Sequence, residues 1–155
     1  MTAYRDKVSC ILRVCGLFDP TAFLSRASFT AHDHWHAGSR RKSFSPHVQP
    51  LSGLLARVSC ADFDEPDVQI SEAISFLQAH TDSLSILQQL LTEGDPTWAD
   101  SWMELDFGIE DRVGTLDSAG KEIVHQADHL PASLARLAGN LGIGLTISRY
   151  PRTEE

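Results

Sequence analysis

Between residues 32 and 36 the chain reads His32-Asp33-His34-Trp35-His36. In an extended segment, residues two apart share a face, so three imidazoles would line one side and two could reach one metal ion. Asp33 adds a carboxylate, and His125 or His129 offers a further ligand from elsewhere in the chain. Zn²⁺ or Ni²⁺ suits such a nitrogen-rich set. Familiar metal hydrolases ask for more. A metallo-β-lactamase-type run has Asp where His36 stands, and amidohydrolase chemistry needs a barrel of about 250 residues. A histidine-rich solvated loop is the plainer reading of the same residues.

Directly downstream, Arg40-Arg41-Lys42 makes a basic patch able to hold a phosphate or carboxylate. Exposed charges of this kind are more often simply solvated. A third candidate comes from residues far apart in sequence. If the strands described below pair as expected, Arg13, Arg57, Trp102, Glu104, Asp106, Thr146, Ser148 and Tyr150 share one sheet face. Mixed charges framed by aromatics suit a polar ligand or a protein partner. Cross-strand ion pairs are also an ordinary finish for an exposed sheet. Glu104 and Asp106, two apart on one strand face, have a spacing compatible with acid/base work, but nothing in the sequence shows either to be desolvated. The glycine-rich stretch Gly139-Asn140-Leu141-Gly142-Ile143-Gly144 leads from helix into strand. A dinucleotide fingerprint runs the other way, so this one is a helix stop. No nucleophile elbow, P-loop or zinc-finger spacing occurs.

The elements that must position these groups follow from periodicity. Val8, Cys10, Leu12 and Val14 alternate with Ser9, Ile11, Arg13 and Cys15 as a strand. Asp19 N-caps a short helix to about Ala27, with Pro20 opening it and Phe18 and Phe23 at hydrophobic-staple positions. Residues 30–52 have no period and read as a long loop, with a short extended piece around Trp35. Leu54 to Cys60 is a second strand. The acidic run Asp62 to Asp67 leads into a helix carrying Ile70, Ala73, Ile74 and Leu77, as the helix dipole favours. A break at His80–Ser83 starts another helix with Leu84, Leu87, Leu90 and Leu91. From Trp102 the alternation is strict, with Met103, Leu105, Phe107 and Ile109 inward. Residues 113–120 supply a turn and Lys121 to His125 a returning strand. Pro131 opens a helix through Leu134, Leu137 and Ala138. Gly142 to Tyr150 is the last strand, followed by a flexible tail at 151–155. The expected order is β-α-β-α-α-β-β-α-β: an α+β, broadly ferredoxin-like sandwich, with an antiparallel or mixed sheet and helices on one face.

Composition bounds the rest. With 155 residues, 42% of them hydrophobic, the chain is expected to form a single domain over 1–155 with no need of a staple. The formal net charge of −8 is the wrong sign for a general nucleic-acid binder and repels anionic lipid. It would instead attract a basic protein. Cys10, Cys15 and Cys60 are odd in number and lack a C-x-x-C spacing, which speaks for reduced thiols in the cytoplasm. The charged N-terminus is not a secretory h-region, and no apolar run is long enough to span a membrane.

Several of these segments form a familiar set. Leu12-Arg13-Val14-x-Gly16-x-x-Asp19-Pro20 at the start, Trp35-x-x-Gly38 after the first helix, the paired Leu-rich helices over 68–91, and Pro131-x-x-Leu134 leading to Ile143-x-Leu145-x-Ile147-x-x-Tyr150 resemble the bacterial family known as domain of unknown function 4279. The resemblance covers most of the chain and implies a bacterial α+β domain. It carries no catalytic residues, and His32-Asp33-His34-Trp35-His36 departs from its pattern. The expectation is a non-catalytic interaction protein with a protein partner or a homodimer. One concrete form is an immunity protein that steers an acidic surface onto a basic toxin. The rival is a small metal-binding protein or metal-dependent enzyme using His32, His34 and His36.

Overall fold

The structure, a computed structural model, describes residues 7–40 and 46–152. Its elements in chain order are β1 (Cys10–Gly16), α1 (Pro20–Leu24), β2 (Asp33–Trp35), β3 (Ser52–Ser59), α2 (Pro66–Ala79), α3 (Thr81–Gly94), β4 (Trp102–Glu110), α4 (Ala132–Asn140) and β5 (Gly144–Tyr150). The strands form one five-stranded mixed sheet in the order β2-β3-β1-β4-β5. Three pairs are antiparallel, and β4 and β5, joined through α4, are parallel neighbours.

Local chemistry accounts for the element boundaries. Asp19 accepts a hydrogen bond from the Ala22 amide at 3.1 Å and Pro20 occupies the first turn of α1. Pro66 and Asp67 open α2, where an absent N–H costs nothing and a carboxylate meets the positive helix end. Only His80 separates α2 from α3. The alternation of β1, β3 and β4 sorts their side chains onto two faces. On one face Leu12, Val14, Leu54, Ala56, Met103, Leu105 and Phe107 meet Phe23, Ile70, Ala73, Leu77, Leu84, Leu87, Leu91, Leu134 and Ala138 from the helices in one apolar core. Burying each large side chain there contributes roughly 1.5–3 kcal/mol, so this face fixes the register of every strand.

The expected architecture holds as an α+β mixed sheet with four helices; the ferredoxin-like order does not hold in detail. The proposed returning strand at Lys121–His125 is absent. That segment makes only an isolated bridge, Leu116 to Glu122, and Val124 is 81% exposed. The physical reason is competition for an edge: the side of β4 not taken by β1 is taken by β5, whose Leu145 and Ile147 pack against the core while Val124 lies in solvent. The fifth strand is instead β2, inside the stretch expected as the 30–52 loop, so the observed order is β-α-β-β-α-α-β-α-β. Helix α1 ends at Leu24 rather than near Ala27. No helix among the described residues is long and apolar enough to cross a membrane.

Candidate functional site

The helices cover one face of the sheet. The opposite face presents, in cross-strand rows, Leu55–Arg13–Glu104, Arg57–Ile11–Asp106–Thr146 and Gly53–Cys15–Trp102. Ser148 and Tyr150 continue it on β5, beside Gly108 and Glu110. All eight residues anticipated from the sequence for this face (Arg13, Arg57, Trp102, Glu104, Asp106, Thr146, Ser148 and Tyr150) lie on one surface. Their meeting follows from period-two alternation combined with the in-register pairing of β3, β1, β4 and β5.

The polar groups on this face are bonded along a consistent diagonal. The Arg13 guanidinium donates to Asp106 Oδ2 at 2.8 Å, and Ser148 Oγ donates to Asp106 Oδ1 at 2.6 Å. Thr146 Oγ1 donates to Glu104 at 2.8 Å. Asp106 is nearly buried beneath these partners, its side chain 8% exposed against 36% for Arg13. Both oxygens of Asp106 are therefore engaged. The arrangement holds charge in place; it does not present a free acid/base pair.

Aromatic rings frame the surface, and two glycines make room for them. A Cβ on Gly53 would run into the Trp35 ring, so the bare backbone lets the indole of the edge strand lie over β3. The Trp35 indole N–H also donates to the Leu51 carbonyl at 3.0 Å. At the opposite corner a Cβ on Gly108 would come within 2.9 Å of Phe63 and 3.0 Å of Tyr150. Those two rings stack at 4.9 Å with an 11° interplanar angle. Tyr150, within its stack, is 42% exposed, and Trp102 on the same face is 43% exposed. Phe63 and Trp35 were not anticipated as members of this surface. A lone glycine inside a strand, which marks the close approach of another group, was the signal for both.

The histidine run is only partly gathered. His34 and His36 sit edge to face with ring centroids 6.4 Å apart, and His36 Nε2 bonds Thr21 of α1 at 2.8 Å. Asp33 and Trp35, by contrast, pair with Leu55 and Gly53 and so lie on the open face. Burial, helped by the nearby Arg57 and partly offset by Asp33, lowers the pKa of His32 and favours its neutral ring. His125 and His129 follow β4, next to β5, whereas β2 is the far edge strand, so neither approaches the run. Among the described residues no group of three His, Cys, Asp or Glu side chains is placed to hold a metal ion. Of the basic patch, Arg40 is exposed on the connection after β2, while Arg41 and Lys42 lie outside the described residues.

The three cysteines are free thiols in different settings. Cys10 is in the core, where burial, reinforced by Asp106 and Glu72, pushes its thiol well above the ordinary range. Cys15 lies half-buried on the open face and is also raised, chiefly by desolvation. Cys60 is exposed. Two buried polar residues were missed by the sequence reading. Gln69, fully buried in α2, donates to the Gly108 carbonyl at 2.8 Å and to the Asp62 carbonyl at 3.1 Å, which fixes the Phe63 corner. Asp128, with a side chain only 2% exposed, accepts from Arg112 at 3.3 Å and from Arg149, anchoring the 111–130 segment beside β5. Both sit where hydrophobic periodicity carries no information.

Comparison with known proteins returns no match to a family model, a curated protein or a solved structure.

Proposed function

We propose that this chain is a non-catalytic interaction protein of the bacterial cytoplasm, a member of the domain of unknown function 4279 family, that binds another protein through the open face of its sheet. The observation that carries the reading is the surface itself. It holds an ordered set of polar groups, with both oxygens of Asp106 and one of Glu104 already engaged by Arg13 and two hydroxyls, beside the exposed rings of Trp102 and Tyr150. Pre-ordered polar groups next to large, rigid aromatics are what an interface core needs, because little side-chain entropy is lost on docking. A toxin-neutralising immunity protein is one concrete form, since a chain of net charge −8 steers toward a basic partner.

The test is calorimetric titration with the product of the neighbouring gene, comparing wild type with Trp102→Ala. A buried aromatic anchor is worth about 2 kcal/mol, so the substitution should weaken binding roughly thirty-fold. Unchanged affinity removes the open face from the interaction.

The metal-binding alternative retains one observation, the 6.4 Å edge-to-face approach of His34 and His36. It predicts a Zn²⁺- or Ni²⁺-induced rise in melting temperature that is lost when His32, His34 and His36 are all replaced by Ala. A triple variant that still responds to metal ends it.

A further inference from the structure

We infer that the protein seated on the open face is a second copy of this chain, docked about a two-fold axis that runs along the β1–β4 boundary. The inference rests on the reading of that face as a recognition surface and names its occupant.

The argument starts from the distribution of charge. The cations of the central rows, Arg13 and Arg57, belong to β1 and β3; the anions, Glu104 and Asp106, belong to β4, with the hydroxyls of Thr146 and Ser148 beyond them on β5. One half of the face is basic and the other acidic. A two-fold axis lying in the interface along β1–β4 exchanges the halves and leaves each cross-strand row facing itself. Because Arg13 pairs across the sheet with Glu104, and Cys15 with Trp102, the axis sets Arg13 of each copy over Glu104 of the other, and Cys15 over Trp102. Among the described residues Glu104 accepts only from the Thr146 hydroxyl and has no cation partner of its own, so this contact supplies one.

Charge balance separates a second copy from a basic partner. The central rows carry two cations and two anions, with Asp33 and Glu110 at the margins, whereas the whole chain carries −8. Most of the acidic excess thus lies elsewhere, and stacking two of these faces does not stack like charges. Size agrees. Strands about 4.8 Å apart rising about 3.3 Å per residue give a five-strand face of roughly 500 Å² before side-chain relief. That approaches the roughly 600 Å² per partner at the low end of specific interfaces. Two twisted sheets packed with their strands nearly aligned meet this requirement at a separation of about 10 Å.

The experiment combines sedimentation velocity with thiol cross-linking on the full chain carrying Cys60→Ser, which leaves Cys15 as the accessible thiol. The expected result is a species of twice the chain mass whose Cys15 side chains are joined by a short bis-maleimide. Glu104→Arg, which sets like charges opposite Arg13, should raise the dissociation constant at least about tenfold. Trp102→Glu should give monomer; its ring is already exposed, so circular dichroism should show the fold kept. A monomer at every concentration with Cys15 freely alkylated overturns the inference, as does a dimer indifferent to both substitutions. A monomeric chain whose binding to another protein is still weakened by Trp102→Ala would defeat the dimer alone and leave the recognition face standing.

Discussion

Asp106 shows how one residue sets the terms for a whole surface. Its carboxylate is nearly buried on a sheet face, and it is tolerable there because Arg13 and Ser148 each donate to one of its oxygens. Removing Arg13 leaves that charge with a single hydroxyl. Arg13→Ala should therefore destabilise the fold by roughly 2 kcal/mol, read from the urea midpoint, and less than for a fully buried pair because the guanidinium is still partly solvated. A change within about 0.5 kcal/mol would mean that water already supports Asp106. The cost in this case comes from stranding the anion, so Arg13→Ala with Asp106→Asn should recover much of the loss.

At the scale of elements, the end of α3 shows a loop held by one side chain. Asp95 caps the helix and accepts from the amides of Asp100 and Ser101 at 3.0 and 3.1 Å and from the Ser101 hydroxyl at 3.0 Å. The Asp100 amide first, with Ser101 adding, holds the Asp95 carboxyl below its ordinary range despite a smaller opposing effect of desolvation. A lowered folded-state pKa contributes stability that is complete above about pH 4, the unfolded value, and is lost as pH falls through the lowered one. Asp95→Ala should be less stable than wild type at neutral pH, with the gap closing in strongly acid solution. A gap independent of pH would show that only packing had changed. The elements themselves were largely legible in the sequence. The strict alternation of β4 predicted its start at Trp102 and its buried side, because burial on one face writes itself into a period of two. Asp19-Pro20 marked the start of α1 through capping chemistry alone. The 121–125 strand failed for the complementary reason: a turn rich in Gly and Asp describes a reversal, but not which strand wins the adjacent edge. That contest was decided by β5, whose Leu145 and Ile147 reach the core.

At the scale of the whole molecule, the members of the open face were legible in the sequence and most of its frame was not. Alternation places Arg13, Glu104 and Asp106 on one side of their strands whatever else the fold does. The stacking of Phe63 on Tyr150 above Gly108, and of Trp35 above Gly53, depends on which strands become neighbours, and that is a property of the complete sheet. The histidine run illustrates the converse. Its spacing is suggestive by itself, yet β2 is only three residues long, and its pairing sends Asp33 to the open face while His36 turns to Thr21 of α1. The surface assembled by long-range pairing is thus better organised than the one suggested by local spacing, and the functional reading follows it.

The measurement that tests this account most directly is native mass spectrometry of the untagged protein from its own host, run beside Trp102→Glu. The account predicts a complex with a protein chain, a second copy by the inference above, that is lost on substitution. A bare monomer in both samples would contradict it, as would a bound metal or small molecule that Trp102→Glu leaves in place.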